Sequence, residues 1–414
     1  MYFPRKRYLD KLISHKNNHL VKVVTGIRRS GKSFLLFDIF YRHLLSEGVD
    51  EQHIIKVDLE DRRNKSLRAP DALLAYIDSQ MKDDKMYYIL LDEVQLVPEF
   101  EDVLNSYNKV TNADLYVTGS MSKDVITEFR GRGDEIKLYP LSISELWEAF
   151  PQLTWEQVWQ LYMTYGGLPL TVLTEPAVEK ADYLKSLFRE TYIKDIKERN
   201  HIQNDMALET LLNIIASSIG SLTNPQKLEN TFRSIENTNL AAPTIKAYLD
   251  DLEDAFLVNK SLRYDIKGKR YISTPYKYYF TDMGLRNSRL NFRQIEETHI
   301  MENVIYNELL MRGYSVDVGI VEIRERDDSG KEVRKQIEVD FVVNQGSLRF
   351  YIQSAYALPN KEKADQEARP LLNIQDSFKK IIVVKEDILL RRDDSGIVTM
   401  GLREFLTNES SIFL

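Results

Sequence analysis

Short apolar runs alternate with amphipathic segments along the first third of the chain. The runs are rich in Val, Ile, Leu and Tyr, which favours strands, and the segments between them carry apolar residues at helical spacing. The predicted strands are 20–25, 54–58, 87–91, 115–118 and 135–138, and the predicted helices are 32–45, 71–81 and 101–110. Strands that alternate with helices are typical of a parallel sheet covered on both faces, so we expect an α/β unit that ends near Pro140.

The pattern of apolar positions changes beyond this unit. Residues 142–209 have mostly helical periodicity, interrupted at 165–169 by the turn sequence YGGLP. Residues 211–280 predict two or three short helices followed by a basic, strand-rich stretch, and mixed helical and strand patterns return from residue 302. We therefore expect four domains, 1–140, 141–209, 210–285 and 286–414.

Composition narrows the class of protein. The 414 residues are 43% hydrophobic and 29% charged, which is ordinary for a globular chain. The 56 Lys and Arg residues against 63 Asp and Glu residues give a net charge of −7, which excludes a uniformly basic nucleic-acid coat but allows a local basic patch. The absence of cysteine excludes disulfides, Cys-ligated zinc, iron–sulfur clusters and thiol nucleophiles.

No segment has the pattern of a secretion signal or a membrane span. The N-terminus, MYFPRKRYLD, has no apolar core behind its charges. The longest uncharged run, 157–174, contains two glycines, a proline and several polar residues, which make it a poor membrane helix. We expect a cytoplasmic protein with no membrane partner.

A phosphate-binding motif lies between the first predicted strand and the first predicted helix. Residues 26–33, GIRRSGKS, match GxxxxGK[ST], and the strand before them and the helix after them supply the context that this motif requires. The glycines allow a tight turn whose backbone N–H groups point at phosphate oxygens, and the helix N-terminus adds its dipole. We expect Lys32 to reach the β- and γ-phosphates, and the Ser33 hydroxyl to ligate Mg²⁺.

The whole loop and the first turn of the helix are expected to bind ATP. The candidate contact residues are Gly26, Ile27, Arg28, Arg29, Ser30, Gly31, Lys32, Ser33 and Phe34. The two arginines lie inside the loop, where either of them would contact a phosphate or pair with an acid.

An acidic pair follows the strand predicted at 87–91. In YYILLDE the strand ends in Asp92 and Glu93, which places both side chains at the carboxyl edge of the sheet. We expect Asp92 to lie near Mg²⁺, and Glu93 to polarise the attacking water as a general base.

The strand predicted at 115–118 ends in small hydroxyl residues. In NTPases with a Glu beside the second acid, such a strand inserts between the loop strand and the acid strand, and a polar residue at its tip senses the γ-phosphate. Ser120, or alternatively Thr118, is expected to have this role. Arg130 and Arg132 follow in a Gly-Arg turn, where they are either simply solvated or act in trans on the phosphate of a neighbouring subunit. The second alternative predicts homo-oligomers.

These motifs, with others further along the chain, resemble a family of AAA-type ATPases of bacteria and archaea. Members of that family carry a C-terminal domain of unknown function with a restriction-endonuclease-like core. The resemblance is carried by GIRRSGKSFLL, LLDEVQ, VTGS, LYPLSISE, YGGLP, TYIKDIKERN, TIKAYLDDLEDAFLV, ENVIYNELLMRGY, IEVDFVV and IQSAYAL. It spans nearly the whole chain and implies a P-loop ATPase core, a helical lid, a winged helix and a nuclease-like α/β domain, in that order.

The middle of the chain also predicts a winged helix from its own residues. Three helical patterns and a hairpin follow one another at 211–219, 226–232, 242–252 and 256–273. The turn of the hairpin is basic, which favours contacts to DNA phosphates. The candidate DNA contacts are Lys246, Lys267, Lys269 and Arg270. The third helix ends in acidic residues that would repel DNA, so a plain packing or oligomerisation role stays open.

The last domain carries part of a nuclease active site. Restriction-like nucleases use a helix acid, a strand acid and an acid-x-Lys on the next strand to hold Mg²⁺ and to steady the attacking water. Here Glu302 opens a predicted helix, and Asp340 lies in a strand-like alternation. The next strand has Gln353 and Ala355 where the acid and the lysine are needed. We therefore expect the fold without the cleavage chemistry.

Three functions remain open at this point. The first is an ATP-driven protein that binds DNA, including branched or forked DNA, through its C-terminal modules. The second is a nucleotide switch whose ATP state controls a partner-binding region, which the intact Glu93 disfavours. The third is an active ATP-coupled nuclease, in which Lys361 or Lys363 would replace the missing lysine.

Overall fold

The structure of the chain is a computed structural model that describes residues 2–119, 133–194, 196–197, 202, 204–235, 240–326 and 331–414. The chain divides into two compact units. The first comprises Met1–Leu141, Leu168–Leu173 and Asp254–Phe256, and the second comprises Ser142–Gly167, Thr174–Glu253 and Leu257–Leu414. The expected domain boundaries near residues 140, 209 and 285 stay predictions.

The first unit is built around a parallel sheet of five strands. The strands are β1 (Val21–Thr25), β2 (Ile54–Asp58), β3 (Tyr87–Asp92), β4 (Ala113–Thr118) and β5 (Gly133–Lys137). Their order is β2-β3-β4-β1-β5, and every neighbouring pair is parallel. The predicted parallel α/β sheet is confirmed, and β4 lies between the loop strand and the acid strand, as expected.

One helix precedes the strands of the first unit, and others connect them. They are α1 (Lys6–Ser14), α2 (Lys32–Phe34), α3 (Tyr41–Ser46), α4 (Pro70–Gln80) and α5 (Phe100–Tyr107). A π-helical segment, Leu35–Phe40, joins α2 to α3, so the helix predicted from residue 32 continues to Ser46. α4 begins at Pro70, since the fixed φ of proline suits the first turn of a helix.

The sheet of the first unit is buried on both faces. All residues of β1, β3 and β4 are buried, which matches their mainly apolar sequences. Successive residues of a strand point to opposite faces, and on β1 Val23 packs in one apolar cluster while Val24 packs in another. Because all neighbouring strands are parallel, the loops that follow their carboxyl ends meet at one edge of the sheet.

The second unit combines helices with a mixed sheet of eight strands. Its helices are α6 (Ile143–Ala149), α7 (Trp155–Tyr165), α8 (Ala177–Leu187), α9 (Asp205–Ser217), α10 (Pro225–Ile235), α11 (Ala242–Asp254), α12 (Met283–Arg289), α13 (Glu297–Met311), α14 (Lys361–Leu372) and α15 (Leu402–Thr407). Its strands are β6 (Val258–Asp265), β7 (Arg270–Phe280), β8 (Ser315–Arg326), β9 (Glu332–Gln345), β10 (Leu348–Ala355), β11 (Lys379–Val384), β12 (Arg391–Arg392) and β13 (Val398–Gly401). They are ordered β12-β13-β11-β10-β9-β8-β6-β7.

The basic hairpin that was expected to form a wing is an edge of this sheet. β6 and β7 pair antiparallel, and β6 also pairs in parallel with β8, with Arg263 opposite Val318. The helices α9, α10 and α11 do precede the hairpin in the chain. The winged helix is nevertheless not confirmed, because the hairpin continues a larger sheet instead of standing alone.

One helix boundary in the second unit needs correction. The sequence places Glu302 at the start of a helix, but α13 begins at Glu297, so Glu302 lies in its second turn. An acidic residue in the first turn is favoured by the helix dipole, and Glu297 supplies it. Asp340 and Gln353 do lie on strands, in β9 and β10.

Among the helices in the described ranges, none combines the length and the apolar character needed to cross a membrane.

Candidate functional site

The phosphate loop joins β1 to α2 at the carboxyl edge of the five-stranded sheet. Gly26 has a φ of 135°, and a Cβ there would lie 2.1 Å from the carbonyl oxygen of Leu138. Only glycine fits at such a close approach to another backbone segment. Gly31, with a φ of 97°, caps α2 in the left-handed region. The two glycines let the chain turn from the strand into the helix within a short loop.

Lys32 is folded back over this loop. Its side chain is buried, and Nζ donates hydrogen bonds to the carbonyl oxygens of Gly26, at 3.0 Å, and Ile27, at 3.3 Å. Ser30 is buried as well, and its hydroxyl has no hydrogen-bond partner within the described part of the chain. An ammonium held in a glycine turn at a helix N-terminus is an arrangement that attracts phosphate.

Asp92 ends β3 and is joined to both neighbouring elements of the site. Its carboxylate accepts a hydrogen bond from the hydroxyl of Thr118, at the end of β4, and the Ser33 hydroxyl, in α2, lies close enough to lower its pKa. Asp92 is only 3% exposed, and this burial raises its pKa, while the two hydroxyls act to lower it. Carboxylate and hydroxyl oxygens are suitable Mg²⁺ ligands, so Ser33 and Asp92 are the residues that could share one ion.

Hydrogen bonds hold both the backbone and the side chain of Glu93. It has a φ of 52°, a left-handed conformation that is costly for a non-glycine residue and is found at functional sites. Its N–H donates to Thr118 Oγ1 at 3.0 Å, and the side-chain amide of Gln95 donates to its carboxylate. Thr118, which the sequence offered only as an alternative to Ser120, therefore contacts both acids. Gln95 was not predicted, since a glutamine after an acidic pair carries no recognisable signal.

Two exposed aromatic rings lie beside the phosphate loop. Phe34 is 47% exposed, Tyr2 is 50% exposed, and their ring centroids are 6.1 Å apart in an edge-on arrangement. Phe34 was among the predicted contacts, whereas no sequence pattern connects Tyr2 with the loop. Exposed rings at this place suit stacking on a nucleotide base.

Three predicted site residues lie outside the described ranges. They are Ser120, Arg130 and Arg132, and their expected roles stay predictions. Arg28 and Arg29 are described: Arg28 is partly buried, and Arg29, with a φ of 64°, is exposed. An exposed guanidinium in the loop is accessible to a phosphate group.

The candidate DNA contacts lie in the second unit. The exposed basic residues at the tip of the β6–β7 hairpin are Lys267, Lys269 and Arg270. The Arg270 guanidinium lies 3.5 Å from the carboxylate of Asp265. Lys246, on α11, has an exposed side chain whose Nζ is 2.9 Å from the Asp250 carboxylate. The carboxylate of Asp250, near the end of α11, thus compensates the charge of Lys246. The positive charge at the hairpin tip is the more accessible of the two.

The expected nuclease residues come together on the eight-stranded sheet. The N–H of Asp340 donates to Gln353 Oε1 at 3.4 Å, and the N–H of Ser354 donates to Asp340 Oδ2 at 2.8 Å. Burial raises the pKa of Asp340 well above its ordinary value, and the nearby charge of Glu302 raises it further. The helix acid and the strand acid are therefore close in space.

A buried lysine that carries no sequence signal lies in the same cluster. Nζ of Lys277, on β7, is 2.9 Å from Glu302 Oε1 and 2.6 Å from Glu338 Oε1. The hydroxyl of Tyr279 also donates to Glu302 Oε1, at 2.6 Å. Across the described ranges, no group of three or more His, Cys, Asp or Glu side chains is arranged to hold a metal ion.

Two segments of the chain match known families, and individual proteins match most of its length. Residues 18–147 match the family described as AAA domain, and residues 156–296 match a domain of unknown function, DUF8612. An uncharacterized protein of Haemophilus influenzae is 32% identical over 389 residues, which cover 92% of each chain. The uncharacterized protein MJ1544 of Methanocaldococcus jannaschii is 25% identical over 397 residues, which cover 91% of this chain and 84% of that protein.

Solved structures show only a distant similarity. AMPPCP-bound DnaA from Aquifex aeolicus matches with 13% sequence identity and a TM-score of 0.31, over 60% of this chain and 87% of that one. The restriction-endonuclease-like core expected for the C-terminal part is not shown by these matches.

Proposed function

We propose that this chain, which belongs to the same family as the uncharacterized Haemophilus influenzae protein and matches the AAA domain over residues 18–147, is a Mg²⁺-dependent ATPase. One observation carries the proposal: the Thr118 hydroxyl links Asp92 to the backbone of Glu93 at the sheet edge where the Lys32 loop begins. A phosphate loop, a buried acid for the metal and a second acid for water are the parts that ATP hydrolysis needs, and all three meet at this edge.

The loop residues would bind the triphosphate. Lys32 would exchange its carbonyl partners, Gly26 and Ile27, for phosphate oxygens, and the backbone N–H groups at the start of α2 would complete the cradle. Ser33 and Asp92, whose side chains lie close together, would hold Mg²⁺. Once bound, Mg²⁺ would neutralise charge on the β- and γ-phosphates.

Glu93 would act on the attacking water. Its carboxylate is partly exposed at the sheet edge and is held by the Gln95 amide, so it is oriented before the substrate arrives. A carboxylate oxygen of Glu93 would accept the proton of the water as the oxygen attacks the γ-phosphorus. Ser120, which lies outside the described ranges, or alternatively Thr118 would then sense the γ-phosphate.

Adenine would stack on the exposed rings of Tyr2 and Phe34. The two rings offer an apolar, aromatic surface next to the loop, and stacking of a base on an aromatic ring contributes roughly 1–3 kcal/mol. This contact would not by itself distinguish adenine from guanine, because every base has an aromatic face.

ATP binding and hydrolysis by the purified chain test the proposal directly. Lys32→Ala should abolish detectable nucleotide binding, since the loop loses its ammonium. Lys65→Ala, which removes an exposed lysine of the same unit, is the control and should bind ATP as the wild type does. Wild-type protein that neither binds ATP nor hydrolyses it with Mg²⁺ would refute the proposal.

A second candidate function, DNA binding, is favoured by the exposed basic tip of the hairpin. The basic side chains of Lys267, Lys269 and Arg270 project from the end of two paired strands, and such groups contact phosphates without reading bases. We therefore propose binding of DNA without strong sequence preference, including branched or forked DNA. Nuclease activity is not part of this proposal, because Gln353 and Ala355 replace the expected acid and lysine.

Self-assembly in the ATP state is the last part of the proposal. Arg130 and Arg132 follow β4 in the sequence, where an arginine at a subunit edge would reach the γ-phosphate of a neighbour. Sedimentation with a non-hydrolysable ATP analogue tests this point, and a protein that stays monomeric at tens of micromolar would exclude action in trans.

A further inference from the structure

Three carboxylates lie around one buried ammonium in the second unit. Glu302 comes from α13, Glu338 and Asp340 come from the same face of β9, and Lys277 comes from β7. Lys277 has 4% of its side chain exposed and lies within hydrogen-bond distance of both glutamates. Carboxylates that converge in this way repel one another unless a cation lies among them.

We propose that the Lys277 ammonium takes the place of a divalent cation among these carboxylates. The site therefore binds no metal while the lysine is present, and it becomes a Mg²⁺ or Mn²⁺ site when that charge is removed. The proposal does not depend on ATP hydrolysis, since every residue in it belongs to the second unit.

The first support comes from the hydrogen bonds of Glu302. Its Oε1 atom accepts from Nζ of Lys277 at 2.9 Å and from the hydroxyl of Tyr279 at 2.6 Å. Lys277 and Tyr279 are two residues apart on β7, so both point to the same face of the strand. An oxygen with two short donors has little capacity left for a metal ion.

The second support comes from Gln353, which stands where a nuclease of this type has an acid. Its Nε2 group donates to Glu367 Oε2 at 3.2 Å, a contact that an ionised glutamate, which only accepts, cannot make. Glu367 is also paired with Lys363, at 2.5 Å, so this lysine is not free to replace the missing catalytic one. A glutamate at position 353 would repel Glu367, and the network is therefore built for an amide.

The third support is access from solvent. Glu338 keeps 33% of its side chain exposed, whereas Asp340 and Glu302 are buried. A cation could therefore reach the cluster past Glu338 once the ammonium is absent. Two carboxylates and several waters are enough to bind Mg²⁺ or Mn²⁺ in proteins.

The test compares Lys277→Met with wild type in the absence of nucleotide. Thermal unfolding is followed by circular dichroism with and without 1 mM MnCl₂ (about 100 times a Kd of ~10 µM), and bound Mn²⁺ is counted by electron paramagnetic resonance. We expect Mn²⁺ to raise the Tm of Lys277→Met by about 5 °C and to leave the wild type unchanged. Adding Glu302→Gln to Lys277→Met should remove the response.

Lys22→Met is the matched control. Lys22 is also buried, and it forms a direct ion pair with one carboxylate, that of Asp114, in the first unit. Its variant should lose stability but gain no response to Mn²⁺. The control thus separates a new metal site from general destabilisation.

Every other possible result of the Lys277→Met experiment either supports the proposal or contradicts it. If Lys277→Met folds only when Mn²⁺ is present, the metal has replaced the ammonium and the proposal holds. If it stays unfolded at every Mn²⁺ concentration, or folds without binding Mn²⁺, the proposal is wrong. It is equally wrong if the wild type binds Mn²⁺ in a way that Glu302→Gln abolishes, since lysine and metal would then coexist.

Discussion

Thr118 donates its hydroxyl proton to the carboxylate of Asp92 across two neighbouring parallel strands. The same hydroxyl oxygen accepts the N–H of Glu93 at 3.0 Å. Thr118 and Asp92 are buried, so the contact between their side chains does not compete with bulk water. One side chain of β4 therefore fixes the geometry of both acids that end β3.

Thr118→Val should weaken ATP hydrolysis while leaving the fold intact. Valine keeps the shape of threonine but leaves the buried Asp92 without one of its donors, and a hydrogen bond to a charged group contributes about 1.5–3 kcal/mol. We expect kcat/KM for ATP to fall roughly 10-fold or more. Thr118→Ser, which restores the hydroxyl, is the control and should stay near wild type. Equal activity of the two variants would show that the contact is not used.

Glu93→Gln should separate ATP binding from ATP hydrolysis. The amide keeps the size of the side chain but cannot accept a proton, so ATP should bind with wild-type affinity and turn over roughly 100-fold more slowly. Glu99→Gln, a change at an exposed acid beyond the site, is the control. Steady-state hydrolysis and equilibrium binding of a fluorescent ATP analogue measure the two steps. Wild-type turnover by Glu93→Gln would overturn the assignment of the general base.

The five strands of the first unit are predictable because central parallel strands are apolar on both faces. β3 and β4 consist of short β-branched or aromatic runs, and each run ends where the polar site residues begin. The phosphate loop and the acid pair follow from spacing alone, since their chemistry requires fixed residue types at the ends of strands. The role of Thr118 was open between two hydroxyl residues, and only the pairing of β3 with β4 brings it to Asp92.

The second unit is less predictable because its contacts join segments that are distant in the chain. The parallel pairing of β6 with β8 converts a presumed wing into a sheet edge, and no local pattern encodes that pairing. Lys277 is one basic residue in a basic stretch until β7, α13 and β9 come together around it. In the first unit, Tyr2 was missed because its ring contact with Phe34 likewise joins segments that are distant in the chain.

Removing the exposed rings beside the phosphate loop should weaken the binding of ATP more than the binding of inorganic triphosphate. Tyr2 and Phe34 can stack only on a base, so the double variant Tyr2→Ala, Phe34→Ala should lose roughly 10-fold in ATP affinity. Its affinity for tripolyphosphate, which has no base, should not change. Tyr41→Ala, which removes a tyrosine further along the same helical segment, is the control. Equal losses for both ligands would indicate damage to the loop.

Asp114→Ala should destabilise the first unit through the charge it leaves behind. Asp114 is the ion-pair partner of Lys22, both side chains are buried, and breaking such a pair costs about 3–5 kcal/mol. The double variant Lys22→Met, Asp114→Leu should recover most of the loss, since it leaves no buried charge. Urea unfolding at pH 7 measures the free energy of unfolding of the wild type, of Asp114→Ala and of the double variant. A loss below 1 kcal/mol for Asp114→Ala would show that water reaches the lysine.

The same pair predicts a dependence on pH. Burial lowers the pKa of Lys22 below its ordinary value of 10.5, and the charge of Asp114 acts to raise it, so removal of Asp114 lowers the pKa further. Between the lowered pKa and 10.5 the unfolded chain binds more protons than the folded one, and stability rises with pH. The loss in free energy of unfolding that Asp114→Ala causes, relative to the wild type, should therefore shrink from pH 7 toward pH 10. A deficit that does not change over this range would contradict the assignment.

Neutralising the hairpin tip should weaken DNA binding for all sequences alike. The triple variant Lys267→Ala, Lys269→Ala, Arg270→Ala removes exposed charges that position phosphates without reading bases, and each lost contact should reduce the salt slope by about one unit. The matched control is Arg62→Ala, Lys65→Ala, Lys82→Ala, which changes the net charge equally at exposed positions of the first unit. Binding is measured by fluorescence anisotropy on duplex, single-stranded, forked and four-way DNA at several salt concentrations. Unchanged affinity and salt slope in the hairpin variant would make the hairpin a structural edge of the sheet, and equal losses in both variants would indicate a general charge effect.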